Sequence, residues 1–288
     1  MRVACLVGLS AVILCTPLIV PADKRLLRCV AAVWSVTLVV KLFDLHIGAN
    51  RGERPSLLSF LAFLPNVFSL VQRNLDAPHP TPGQNLRSLI VFSLIALPMW
   101  VVFATTFAVD WRRIGFAAEH ATKVVTFFLA LVPMTAALSA GWRLLGGRAI
   151  DFMDNPFAAR TPADFWRRYN RPVHQFFDED VFIPLGGRRR RWRALLAVFV
   201  ISALVHEYVF SMGVGRIQGY QTAYFLLQGL AVAATVRVKP RGAAAVAWVA
   251  ATFAFNVASG VLFFGSVNGL VPFYQNPVPL WDSPPCRS

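Results

Sequence analysis

The sequence predicts an all-α, polytopic integral membrane protein of about seven to eight transmembrane helices. Three observations point there. Of its 288 residues 56% are hydrophobic and only 15% charged, whereas soluble domains sit near 45–50% and about 25%. The apolar residues fall in runs of spanning length. The basic residues between those runs alternate in density, as they do when charge orients membrane helices.

In chain order, the apolar runs predict spans near 3–20, 29–47, 57–72, 88–109, 124–145, 194–213, 220–237 and 243–264. The first run resembles a signal peptide, but it lacks a strong basic start and a small-x-small cleavage site, so a retained helix is expected. The second holds Lys41, Asp44 and His46; Lys41 and Asp44 stand three apart and are expected to neutralise each other. The third is short and contains Pro65. It is counted as a span, with a re-entrant or interfacial piece as the alternative. Pro98 and Pro133 fall inside later spans, where neighbours can satisfy the freed carbonyls. With all eight runs crossing, one side collects 19 of the 28 Lys and Arg. The excess places residues 146–193 in the cytoplasm. If 57–72 does not cross, the N-terminus changes sides and that loop stays inside. No internal repeat is evident, and residues 1–288 read as a single membrane-embedded domain.

The net charge of +14 is carried mostly by arginine. It is spread between apolar segments, which favours lipid head groups over nucleic acid. Cys5, Cys15, Cys29 and Cys286 have neither metal-site nor disulfide-framework spacing. The histidines at 46, 79, 120, 174 and 206 show no ligand spacing, so no metal is expected, and a haem held by His206 and His46 is the disfavoured alternative. There is no G-x-S-x-G elbow for serine hydrolysis and no phosphate loop.

Residues 151–193 differ from the rest, being aromatic and arginine-rich: "TPADFWRRYNRPVHQFFDEDVFIPLGGRRRRWR". Thr161 reads as a helix cap, Pro162 as the first helical residue, and Asp164 as a carboxylate facing the free amides. At about 100° per residue, Phe165, Trp166, Tyr169, Val173, Phe176 and Phe177 share one arc, with Arg167, Arg168, Arg171 and Asp178 opposite. This predicts an interfacial amphipathic helix, its aromatic side in lipid or protein, bent by Pro172. Asn170 sits at the edge of the aromatic arc and His174 further round. From spacing alone, a capping or network role for Asn170 is favoured over chemistry. The run at 188–193, "RRRRWR", reads first as an anchor for the next helix and second as a phosphate site.

The stretch "ISALVHEYVF" (201–210) places His206 and Glu207 together inside an apolar span. Ionisable groups there are expensive and mark function or a buried partner. A buried neutral imidazole can act as a general base toward a hydroxyl; a packing histidine is the equal alternative. On a helix Glu207 points about 100° away, so it is expected to meet an arginine or a backbone group, or to stay protonated. Ser202 shares the face of His206 one turn earlier and is a candidate to orient its ring.

Taken together, "PFAARTPADFWRRYNRPVHQFF" (156–177) and "ISALVHEY" (201–208) resemble the membrane-bound O-acyltransferases, most of all their wax-synthase-like branch, with kinship to the diacylglycerol and sterol enzymes. The strong match covers roughly 156–210. The resemblance implies helices around a buried tunnel, acyl-CoA entering from the cytoplasm and a lipophilic alcohol from the lipid. It makes His206 the catalytic base and Asn170 the second active-site polar residue, and it lines the acyl-CoA site with Phe165, Trp166, Tyr169 and His174. Ser202 and Glu207 join as substrate-binding candidates beside the base. No cofactor is implied, acyl-CoA being a co-substrate. Tyr169 stands where the family usually has Trp, and "FMDNPFA" (152–158) departs from the aromatic-acidic motif of the diacylglycerol and sterol enzymes. The second departure favours the wax-ester branch. Two alternatives remain: acylation of a polar hydroxylated acceptor, and a non-enzymatic transporter whose His and Glu relay protons. The implied partners are acyl-CoA, the alcohol and membrane lipids, without nucleic acid; oligomeric state is open, a homo-oligomer included. The abundance of Ala and Arg suggests a bacterial inner membrane.

Overall fold

The computed structural model describes residues 3–50, 52, 55–72 and 80–281; His79 and Cys286, weighed above, lie outside them. The described residues form helices and connecting turns, without a strand. The α-helices are α1 (Val3–Cys15), α2 (Arg25–Asn50), α3 (Leu57–Phe63), α4 (Pro82–Thr105), α5 (Phe116–Leu144), α6 (Pro162–Arg168), α7 (Arg171–Phe177), α8 (Arg191–Val214), α9 (Tyr220–Thr235) and α10 (Gly242–Asn268). Among the described residues, five helical stretches are long and apolar enough to cross a membrane: α2, α4 with its short extension to Ala108, α5, α8 and α10. Two shorter elements run with them, the apolar stretch Val3–Ile19 and the 16-residue α9. At 1.5 Å per residue α9 is about 24 Å long. Helices α4 and α5 continue through Pro98 and Pro133.

The run 57–72 is not a span. Its helix, α3, has seven residues, about 10 Å, and then the chain turns. The cause is Lys41 on α2. Its fully buried ammonium donates to the carbonyls of Phe63, Leu64 and Asn66 at 2.7, 2.9 and 2.6 Å. A lysine has three protons to give, so these acceptors take them all. The expected Lys41–Asp44 neutralisation therefore does not form. Asp44 instead accepts the amide of Gln72 at 2.8 Å. Two buried polar side chains on one helix hold both ends of a turn that would otherwise bury bare backbone.

A second buried anchor closes the opposite end of the bundle. Glu119 and Lys123, one turn apart on α5, pair at 2.7 Å with almost no exposure. Glu119 also accepts the amides of Gln275 and Asn276, and Lys123 donates to the carbonyl of Phe273. Beside them His120 bonds the hydroxyl of Tyr274 and the carbonyl of Val257. The segment after α10 is thus pinned to α5, with its polar groups matched as a low-dielectric site demands.

Around the functional segment, α8 and α9 pack closely. A Cβ at Gly229 would come within 2.8 Å of the Phe199 side chain, so only glycine lets the two helices approach this far. Helix α6 rests on α9, with the amide of Ala163 donating to Thr235 Oγ1 at 3.3 Å.

Candidate active site

Residues 161–177 do not make one bent helix. They make two seven-residue helices, α6 and α7, broken at Tyr169 and Asn170. Thr161 caps α6 as expected, accepting the amide of Asp164 at 3.1 Å, while Asp164 returns a bond to the amide of Arg160. The break falls ahead of Pro172. Pro172 has no N–H for the carbonyl of Arg168 four residues back and its ring would clash with it, but it is at home in a first turn, so the chain restarts a helix with Pro172 in its first turn. Asn170 takes the left-handed conformation, φ 48° and ψ 60°, which Asn tolerates better than most residues. Two backbone bonds from residues 152–154 clamp the break: the amide of Asp154 donates to the carbonyl of Arg168, and the amide of Arg171 to that of Phe152, both at 2.9 Å.

The aromatic side of α6 faces protein. Phe165 stacks on Tyr169 at 5.2 Å between ring centroids, and Trp166 packs against Phe199 of α8 and Phe225 of α9, each at 5.7 Å. Burial pushes the Tyr169 phenol up to about 12, so it stays protonated at neutral pH.

His206 lies fifteen residues beyond Arg191 on α8, about 22 Å along the helix. Its Nδ1 meets the backbone carbonyl of Ser202 at 2.8 Å. A carbonyl only accepts, so Nδ1 carries the proton and Nε2 is left as a base. It is the carbonyl of Ser202, rather than its hydroxyl, that orients the ring. The imidazole lies against Phe225, with centroids 4.1 Å apart.

Glu207 is turned away from this chemistry. Its carboxylate accepts the amides of Gln218 and Gly219 at 3.0 and 2.7 Å, and the amide and hydroxyl of Thr222 at 3.0 Å each. It therefore meets backbone groups, as one of the sequence readings held, and serves the exposed donors at the start of α9. It is absent from the wall of the cavity described below.

That cavity has a volume of about 360 Å³ and a mostly aromatic and aliphatic wall. His206, Asn170, Ser202, Phe165, Trp166, Tyr169 and His174 all line it, so the structure gathers seven of the eight candidates. Asn170 Oδ1 is buried there with no hydrogen-bond partner among the described residues. An unpaired buried carbonyl costs about 1–3 kcal/mol and marks a place where a ligand can bond.

Next to the apolar cavity is a second hollow of about 540 Å³, bordered by Arg160, Arg167, Arg168, Lys239 and Arg241 with a single acid, Asp164. The two hollows share Ala163, Arg167 and Val236 in their walls. Burial alone would raise the Asp164 carboxyl. The amide of Arg160 and the guanidiniums of Arg167 and Arg168 outweigh it and hold the carboxyl below its ordinary range. The basic run Arg188–Arg191 borders neither hollow.

Several polar groups at or behind the walls of the two hollows were not singled out in the sequence. Trp166 Nε1 donates to Gln228 Oε1 at 3.0 Å, and Gln228 Nε2 donates to Ser259 Oγ at 2.9 Å and Asn256 Oδ1 at 3.3 Å. Gln228 is fully buried on α9, and Asn256 borders the cavity from α10. The available signal was the one that exposed His206, a strongly polar side chain inside an apolar span. Lys239 and Arg241 carried no such signal, because a basic loop between spans is ordinary.

A family model described as the membrane-bound O-acyltransferase family matches residues 78–264. The chain is 29% identical over 191 residues to a probable long-chain-alcohol O-fatty-acyltransferase 2 of Arabidopsis thaliana, an overlap covering 61% of this chain and 54% of that protein. It is 24% identical over 258 residues to human sterol O-acyltransferase 2, covering 78% and 49%. A shorter likeness, 37% over 57 residues, joins it to a peptidoglycan O-acetyltransferase of Helicobacter pylori, covering 18% and 11%. The chain thus spans about half the length of the first two relatives.

Proposed function

The chain belongs to the membrane-bound O-acyltransferase family, and on that premise we propose that it transfers a fatty acyl group from acyl-CoA to a lipophilic alcohol. One observation carries the reading: a free imidazole nitrogen borders an apolar cavity that shares a wall with a cationic hollow. The apolar cavity suits an acyl chain and a lipophilic acceptor. The five cations suit a phosphorylated carrier, since guanidinium forks bind phosphate strongly. A proton-relaying transporter has no need of such a pair of hollows.

The chemistry follows from the tautomer. His206 Nε2 takes the proton of the acceptor hydroxyl as its oxygen attacks the thioester carbonyl carbon. The carbon–sulfur bond of the resulting tetrahedral adduct breaks, an ester forms, and the leaving thiolate recovers the proton from the imidazolium. Asn170 offers its side-chain amide to the reacting groups at the cavity wall and so favours the adduct over the ground state. The aromatic wall excludes water, which would otherwise compete as an acceptor. The seat of this activity is an integral, multi-pass membrane protein. We place it in a bacterial inner membrane on the strength of its Ala- and Arg-rich composition, with residues 146–193 on the cytoplasmic side where the donor is made.

The test is an acceptor screen in membranes carrying the chain, with labelled long-chain acyl-CoA and mass analysis of the product. Ester formation with long-chain alcohols is the expected result. CoA release that requires a polar acceptor, or no CoA release at all, contradicts the proposal.

A further inference from the structure

A small side pocket of about 30 Å³ opens between α5, α10 and the turn at Pro156–Ala158. It shares Phe128, Phe165 and Asn256 with the main cavity. Its wall is otherwise apolar, with one exception. Thr252, one turn before Asn256 on the same face of α10, is 3% exposed, and its Oγ1 is buried without a partner among the described residues. Thr235 and Ser259 return their hydroxyls to the carbonyls of Ala231 and Phe255 one turn back. Thr252 does not, nor do Ser211 on α8 and Ser266 on α10, but of these three only Thr252 borders a pocket described here.

Asn256 adds a second polar group whose direction is set by its neighbours. Gln228 Oε1 accepts from the Trp166 indole, which can only donate. Gln228 Nε2 must therefore donate, and Asn256 Oδ1 receives one of its protons. The Asn256 Nδ2 protons remain, and they have no partner among the described residues. Thr252 and Asn256, one turn apart, are thus the polar side chains bordering an otherwise apolar side pocket.

We propose that this pocket is a second oxygen subsite, in which Thr252 and Asn256 hold an uncharged hydroxyl or carbonyl of the acceptor alcohol, distinct from the hydroxyl that is acylated. The inference rests on the acyl-transfer reading and refines its substrate class. The ligand group is neutral, because no ionisable side chain borders the pocket and an unpaired charge there would be prohibitively costly. It is small, because the volume admits about one water-sized group. It belongs to the acceptor, because a plain fatty acyl chain has no oxygen beyond its thioester. The pocket also meets the main cavity through a different set of residues from those shared with the cationic hollow. The acceptor is therefore a lipophilic alcohol with a second oxygen function, rather than a simple monohydric chain.

The experiment uses membranes carrying the full chain, saturating palmitoyl-CoA, and matched acceptors: 1-hexadecanol, C16 diols with the second hydroxyl moved stepwise along the chain, and the corresponding hydroxyketones. At least one oxygen position should raise kcat/KM at least tenfold over 1-hexadecanol. Thr252→Val and Asn256→Leu should each bring that ratio down toward one, while Thr252→Ser restores it. A flat profile across the series in the wild-type protein, as expected if the pocket holds only a water, overturns the subsite while leaving acyl transfer intact. A preference that survives both substitutions overturns it as well. If no alcohol in the series is acylated, the transfer reading fails and this inference with it.

Discussion

His206 and Glu207 are neighbours in sequence with opposite assignments in the fold. The helix turns about 100° between them, so one ring reaches the cavity and the other carboxylate reaches the start of α9. The pair was legible as unusual, because ionisable groups in an apolar span stand out. Their division of labour was not, because Gln218, Gly219 and Thr222 become partners of Glu207 only once α9 folds back. Two outcomes separate the roles. His206→Ala should cut ester formation by about 10²–10⁴-fold, the range for a lost general base, with the melting temperature of the detergent-solubilised protein little changed. Glu207→Ala should instead destabilise the protein by about 2–5 kcal/mol, since each buried donor left unpaired costs about 1–3 kcal/mol. Thermal unfolding of both variants checks the contrast.

Among elements, the α6–α7 break shows how far local rules reach. The Thr161 cap, Pro162 at the helix start and the aromatic arc could all be read from residue types and spacing. The break could not, because it is held by bonds to residues 152–154, which carry no helical pattern. Asn170 contributes both backbone and side chain there, and substitutions can divide the two. Asn170→Gly keeps the left-handed turn and should lose activity with stability retained. Asn170→Ala should lose activity and also about 1–2 kcal/mol of stability, the cost of a side chain in that conformation. The start of α6 carries a pH signature through Asp164. Its folded carboxyl lies below the unfolded value of about 3.9, so its contribution is fully present above that pH. It is lost as pH falls through the lower folded value. The stability difference between wild type and Asp164→Asn should therefore be constant above about pH 5 and shrink on acidification. A difference that grows toward low pH contradicts the assigned bonds.

At the level of the whole molecule, spans were legible wherever lipid alone dictates the pattern, as in α2, α4, α5, α8 and α10. Sequence reading faltered where buried polar groups override hydropathy. Residues 57–72 have the composition of a span, yet Lys41 draws three of their carbonyls into a turn. Lys41→Met should leave those carbonyls unsatisfied and lower the unfolding temperature, and adding Asp44→Asn should not restore it, whereas for a lysine paired with Asp44 the double change would relieve a stranded charge. Likewise, apolar runs locate the helices around the cavity but not the cationic hollow beside it. That hollow joins α6 to the α9–α10 loop, about 70 residues apart in the chain. Its role has its own check: replacing Arg241 and Lys239 by Gln should raise KM for acyl-CoA severalfold with little change in kcat.

The most direct test of the account is CoA release from palmitoyl-CoA in membranes carrying the chain, measured with and without a long-chain alcohol, for the wild type and for His206→Ala. Release that depends on the alcohol and falls at least a hundredfold in the variant is the expected result. Equal rates in the two proteins, or release indifferent to the alcohol, would contradict the claim that this imidazole activates a hydroxyl against a thioester.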